Sequence, residues 1–192
     1  MDYQLDVVAI SISLIIYLVV LFDLSDHKEV IFPYKYRKFV SYMGWLVLLI
    51  GIAWVTPIDR AWHLSSQAFF QLREYQNAPT IEVANQAFAM FETKLNHALR
   101  LAPWETYYSN QLGWNLGLRG WHETDQTLAQ KYQNTALEIL KKSIKSNPNQ
   151  EFAYHQSAWL LHNLGRSAEA EPLFRQAWRF YPAKPLSILA WV

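Results

Sequence analysis

The chain has 192 residues, no cysteine and a formal net charge of +1. That length holds one modest domain beside whatever its hydrophobic segments do. Missing thiols exclude disulfides and cysteine-based metal or redox sites, and the near-neutral charge gives no pattern that calls for nucleic acid. Aromatic residues make up 16% of the chain, with nine tryptophans, a content that suits a protein part of which meets a bilayer.

Two uncharged runs come first. Val7 to Phe22 is 16 residues long between Asp6 and Asp23, and Phe39 to Ile58 is 20 residues long. At the helical rise the second run spans about 30 Å, the thickness of a hydrocarbon core, and the first about 24 Å. Both are expected to be membrane helices, which makes 1–58 an anchor with two transmembrane helices at about 7–22 and 39–58. A signal peptide suits the first run poorly, because the leading MDYQLD is acidic and no small-x-small cleavage site follows. The loop between the runs, Asp23 to Lys38, carries Lys28, Lys35, Arg37 and Lys38, whereas the N-terminal tail has no basic residue. The bias of basic residues toward the cytoplasmic side places that loop inside and both termini outside.

Residues 59–102 are read as a connector and a degenerate helical hairpin. Pro57 suits the first turn of a new helix after Thr56. Asp59 to Gln76 then mixes Trp62, Leu64, Phe69, Phe70 and Leu72 with polar residues, and either lies along the membrane surface or forms the first helix of the hairpin. After the break at Asn77-Ala78-Pro79, Thr80 is placed to cap a helix from Ile81 to Leu101. Its apolar side holds Ala84, Ala87, Phe88, Phe91, Leu95, Ala98 and Leu99.

Beyond Pro103 the apolar spacing becomes that of paired short helices. In 148–184, Tyr154, Ala158 and Leu161 share one helix face, Gly165 ends the helix and Ser167 is a good N-cap. Ala170, Phe174 and Ala177 share the face of a second helix that Pro182 stops. Ala158 and Ala170 are small because two antiparallel helices approach closely there. The same signature recurs upstream as Ser109, Leu112, Gly113 and Leu116 followed by Ala136 and Leu140, in 103–147. Pro148 and Pro182 are 34 apart but Pro103 and Pro148 are 45 apart, so the earlier unit carries an insertion, in GLRGWHETDQTLAQKYQNT, as a longer turn or extra helix. Residues 185–192 begin a further partial helix. This pattern resembles the tetratricopeptide repeat, whose small and aromatic residues recur with this period. The resemblance implies a short α-solenoid, since one such hairpin cannot bury its apolar face alone, and with the two hydrophobic runs the expected fold is all-α, two transmembrane helices followed by that solenoid.

In that family the first helices of successive repeats line a groove that holds partners. By register the groove here would receive Tyr107, Asn110 and Trp114 from one repeat and Phe152, His155, Trp159, His162 and Asn163 from the next. This aromatic, almost uncharged set departs from the lysine- and asparagine-rich grooves that clamp a peptide's terminal carboxylate. It suits a protein partner presenting an extended peptide, or a glycan whose C–H faces lie on indole rings. Some of the rings are equally suited to covering the next repeat. His155 and His162 share a helix face, but no carboxylate or third histidine accompanies them at ligand spacing. Glu92 with His97, and His122 with Glu123 and Asp125, read as solvated polar faces, and Lys141, Lys142 and Lys145 as a basic cluster suited to a helix C-terminus. No G-x-S-x-G, phosphate-cradling glycine loop or H-E-x-x-H is present, and no catalytic residue, metal or cofactor is expected.

The order of features, with Leu101-Ala102-Pro103-Trp104-Glu105, Tyr107-Tyr108 and Leu112-Gly113, resembles the C-terminal end of bacterial O-antigen ligase and polymerase-like membrane proteins with a tetratricopeptide tail. Those proteins join lipid-linked glycans in cell-surface polysaccharide assembly, and their catalytic residues lie among earlier spans that have no counterpart here. The resemblance implies a bacterial inner-membrane protein with its repeats on the extracytoplasmic side. Three functions are consistent with it: a membrane-anchored interaction module serving polysaccharide assembly, a detached part of a glycosyl-transferring enzyme, or a structural assembly factor for another membrane complex.

Overall fold

A computed structural model describes residues 34–181. The expected span at 7–22, Lys28 and the partial helix 185–192 lie outside the described residues. Among the described residues the fold is all-α, with six helices and no strand: α1 Tyr34–Gln76, α2 Ile81–Leu101, α3 Thr106–His122, α4 Gln126–Ser146, α5 Glu151–Asn163 and α6 Ser167–Phe180.

The chain divides into two units, 1–50 and 51–192. In the first, the described residues are the opening of α1. Lys35, Arg37 and Lys38, expected in a loop, stand in its first turns, because nothing from Tyr34 to Lys38 breaks a helix. Farther along, Phe39, Trp45, Leu46, Leu49 and Ile50 are exposed.

In the second unit α1 passes through Pro57 without a break, which corrects the new helix expected there. Thr56 explains the difference. Its hydroxyl donates backward to the Ile52 carbonyl at 2.7 Å instead of accepting from the N–H groups of a fresh first turn. From Ala61 onward, α1 turns Ala61, Ser65 and Ala68 inward at 2% exposure or less, the i, i+4, i+7 spacing of one helix face. That face shares a core with Phe88, Phe91, Leu95 and Ala98 of α2. Lys94 donates to Gln67 Oε1 at 2.6 Å, and Tyr75 meets Phe88 edge-on at 5.1 Å. Thr80 caps α2 by accepting from the Val83 N–H at 3.4 Å.

The α3–α4 hairpin is closely packed. Gly113 and Gly120 on α3 allow it. A Cβ at Gly113 would stand 2.7 Å from Leu140 Cγ, and one at Gly120 2.8 Å from the Ala129 carbonyl oxygen. The insertion is extra helix rather than loop. α3 and α4 have 17 and 21 residues against 13 and 14 in α5 and α6. Their turn is tight because Asp125 Oδ1 accepts from the N–H groups of Thr127 and Leu128 at 2.8 and 3.2 Å.

Arg119 ties four helices together. Its guanidinium lies 5.3 Å from the ring centroids of both Tyr75 and Phe88 and 5.9 Å from that of Tyr132, bonds to Asn85 Oδ1, and faces Glu123 at 3.9 Å. In the α5–α6 hairpin, Ala158 and Ala170 are both at 0% exposure against Leu161 and Phe174. Gly165 takes the left-handed conformation at φ 73° and closes α5, with its own N–H on the His162 carbonyl and the Arg166 N–H on the Leu161 carbonyl, each at 2.9 Å. That second bond directs the chain so that Arg166, not Ser167, stands at the N-cap position. Ser167 is already helical, and its hydroxyl pairs instead with His162 Nδ1 at 3.1 Å.

Candidate partner-binding surface

The first helices of the successive hairpins are the latter part of α1, α3 and α5. α3 and α5 are direct neighbours, because Leu160 packs where Gly117 has no side chain. The segments around Trp114 and Trp159 therefore lie side by side.

Along this series Phe69 of α1 meets Tyr107 of α3 with ring centroids 6.0 Å apart, and Tyr107 meets Tyr108 edge-on at 6.1 Å. Tyr107 is positioned by the start of α3, where Glu105 accepts its N–H at 3.0 Å. Tyr107 remains exposed, whereas Tyr108 points into the core at 1% exposure. Burial pushes the Tyr108 phenol up to about 12, and the negative charge of Glu105 and the neighbouring Tyr107 add to the effect. Tyr107 is also raised, by burial. Trp114, one turn beyond Asn110, is half-buried.

Asn110, expected in the groove, is not part of that surface. It is 3% exposed, accepts from the Ser143 hydroxyl at 2.7 Å and donates to Gln150 Oε1 at 3.0 Å. Its amide joins α3 to α4 and to the residue that precedes α5, because a buried amide needs partners on both ends.

On α5, His155 and Trp159 are half-buried rather than open. The Trp159 indole N–H donates to His155 Nε2 at 3.1 Å, and both rings stand edge-on to Phe174 of α6, at 6.0 and 6.1 Å. These two rings contribute to the hairpin's own packing. Phe152, His162 and Asn163 are exposed at the two ends of the same helix. The exposed part of the predicted set is thus Tyr107, Phe152, His162 and Asn163, with Trp114, His155 and Trp159 half-buried.

Two aromatic residues outside the predicted set also make ring contacts in the fold. Phe69 stands in the sequence only as one aromatic in a mixed helix, and its contact with Tyr107 depends on α1 packing against the array. Trp104 stands directly after Pro103 in the α2–α3 turn, 56% exposed, and its ring lies parallel to that of Trp54 at 6.0 Å. A tryptophan beside a turn proline is the available signal.

No group of three or more histidine, cysteine or acidic side chains is placed to hold a metal among the described residues. What the arrangement offers is ring faces, amides and an imidazole, chemistry that holds a ligand. Residues 153–184 match the tetratricopeptide repeat family, over α5, α6 and the segment that follows. No curated protein matches the chain.

Proposed function

We propose that the tetratricopeptide repeat at 153–184 and the hairpins stacked before it form an interaction module held at a membrane by the apolar part of α1. Tetratricopeptide repeats generally mediate protein–protein contact, and that supports a protein partner. The observation that carries the reading is the exposure of Tyr107 and Phe152 on first helices that lie side by side. An extended peptide laid across those helices would bury ring faces against its side chains, with Asn163 and the half-buried Trp114 on the same two helices.

Anchoring is supported by α1 itself, which among the described residues contains a stretch long and apolar enough, by length and composition, to cross a membrane and exposed rather than buried. The positive charges at Lys35, Arg37 and Lys38 support an outward-facing array. Association with surface-polysaccharide assembly is supported by the order of span, connector and repeats and by the Leu101 to Glu105 phrase. A glycan in place of the peptide would use the same rings.

The test is site-specific photocrosslinking in cells. A photoreactive phenylalanine at Tyr107 or Phe152 should give a discrete crosslinked band that the same residue at Trp121 does not. Equal yields at all three positions, or none, would end the proposal. A reporter fused after Val192 should be active on the outer side, and cytoplasmic activity would reverse the orientation.

A further inference from the structure

Two exposed tryptophans from distant parts of the chain have stacked rings. Trp54 on α1 is 68% exposed and Trp104 in the α2–α3 turn is 56% exposed, yet their rings are parallel within 7° at 6.0 Å. Trp54 lies near the end of the uncharged run that stops at Ile58, five residues before Asp59. At 1.5 Å per residue that is about 7.5 Å, the depth over which a bilayer changes from chains to headgroups. Tryptophan is the residue that settles at that level, its ring in the apolar zone and its N–H toward water.

We propose that the α2–α3 turn rests in the headgroup layer of a lipid bilayer, with Trp104 inserted beside Trp54 as an interfacial anchor. The inference rests on the anchoring of α1 proposed above and goes beyond it, because a span alone does not bring any other part of the chain to the surface. The occupant is lipid for two reasons. Ile52 and Val55, at the same level of α1 as Trp54, are exposed and apolar too, and an exposed indole stacked on another leaves its second face available to acyl chains. Arg100, exposed on the last turn of α2, stands at the right end of its helix to meet phosphate.

The chain has no cysteine, so a single introduced thiol can carry a polarity-sensitive fluorophore without further engineering. Full-length protein would be reconstituted in phosphatidylcholine–phosphatidylglycerol vesicles and labelled at Trp104→Cys, at Pro103→Cys with the indole kept, at Trp121→Cys and at Trp45→Cys. Trp121 is exposed about 23 Å away along α3, by helical rise. The expected result is blue-shifted emission at 103 or 104, with quenching by shallow brominated lipid several-fold greater than at 121. Labels at 103 and 104 that match 121, while 45 is quenched by deep brominated lipid, would overturn the headgroup anchor and leave the span intact. A label at 45 that no lipid quenches would overturn the anchoring reading and this inference with it.

Discussion

Leu160 of α5 packs directly over Gly117 of α3, where a Cβ would come within 2.8 Å of one leucine methyl and 3.1 Å of Cγ. Adjacent hairpins touch there because one residue is missing a side chain. Gly117→Leu should therefore lower stability by about 2 kcal/mol in denaturant unfolding, the usual range for overpacking a filled core. Adding Leu160→Ala should recover part of that loss, giving a coupling energy in a double-mutant cycle. Independent losses that simply add would mean that the two positions do not meet.

Asn110 separates a structural role from a binding one. Asn110→Leu strands the Ser143 hydroxyl and Gln150, and should cost about 1 to 3 kcal/mol. Crosslinking through Tyr107 should persist wherever the variant is folded. A variant of unchanged stability that loses the partner would return Asn110 to the groove.

Asn110 and its neighbours show where the fold is readable from sequence. Gly165, Ala158 and Ala170 announce themselves because a left-handed turn and a tight helix crossing admit few residue types, and their spacing is local. Thr80 is equally plain, since a cap acts on the next three residues. Asn110 is misplaced by register alone, which puts it on the groove side, while its partners lie 33 and 40 residues away in sequence. Pro57 misleads for a related reason. Threonine before proline signals a helix start, and only the backward bond to Ile52 shows that the chain continues.

Arg119 gives no sign of its role in the sequence. Its guanidinium faces rings from α1, α2 and α4, a planar arrangement that an ammonium cannot reproduce. Arg119→Lys should cost about 1 kcal/mol in thermal or denaturant unfolding and Arg119→Ala more, since the aliphatic stem is lost as well. If both variants melt like the parent, the rings hold the helices without it.

Tyr108 makes a prediction in pH. Below its ordinary value of 10.0 the phenol is neutral in both states and contributes no pH dependence. Between pH 10.0 and about 12 the unfolded chain ionises while the folded chain is held neutral, so stability falls across that window. Each pH unit of the window corresponds to about 1.4 kcal/mol, which bounds the decline attributable to this group at about 3 kcal/mol, and solvent screening of the phenolate reduces it below that bound. Tyr108→Phe should lose less stability than the parent between those pH values, followed by chemical denaturation. Parallel curves would show that Tyr108 ionises as readily folded as unfolded.

The amide of Asn110 also bears on how such an array can change over time. Its two answering groups, Ser143 and Gln150, come from the same hairpin and from the threshold of the next. A generic unit spliced in after this hairpin would take Gln150 away and leave the amide N–H without its answering group, so this junction is an individually fitted joint rather than an interchangeable one, and a duplication that breaks it would start with a penalty in folding.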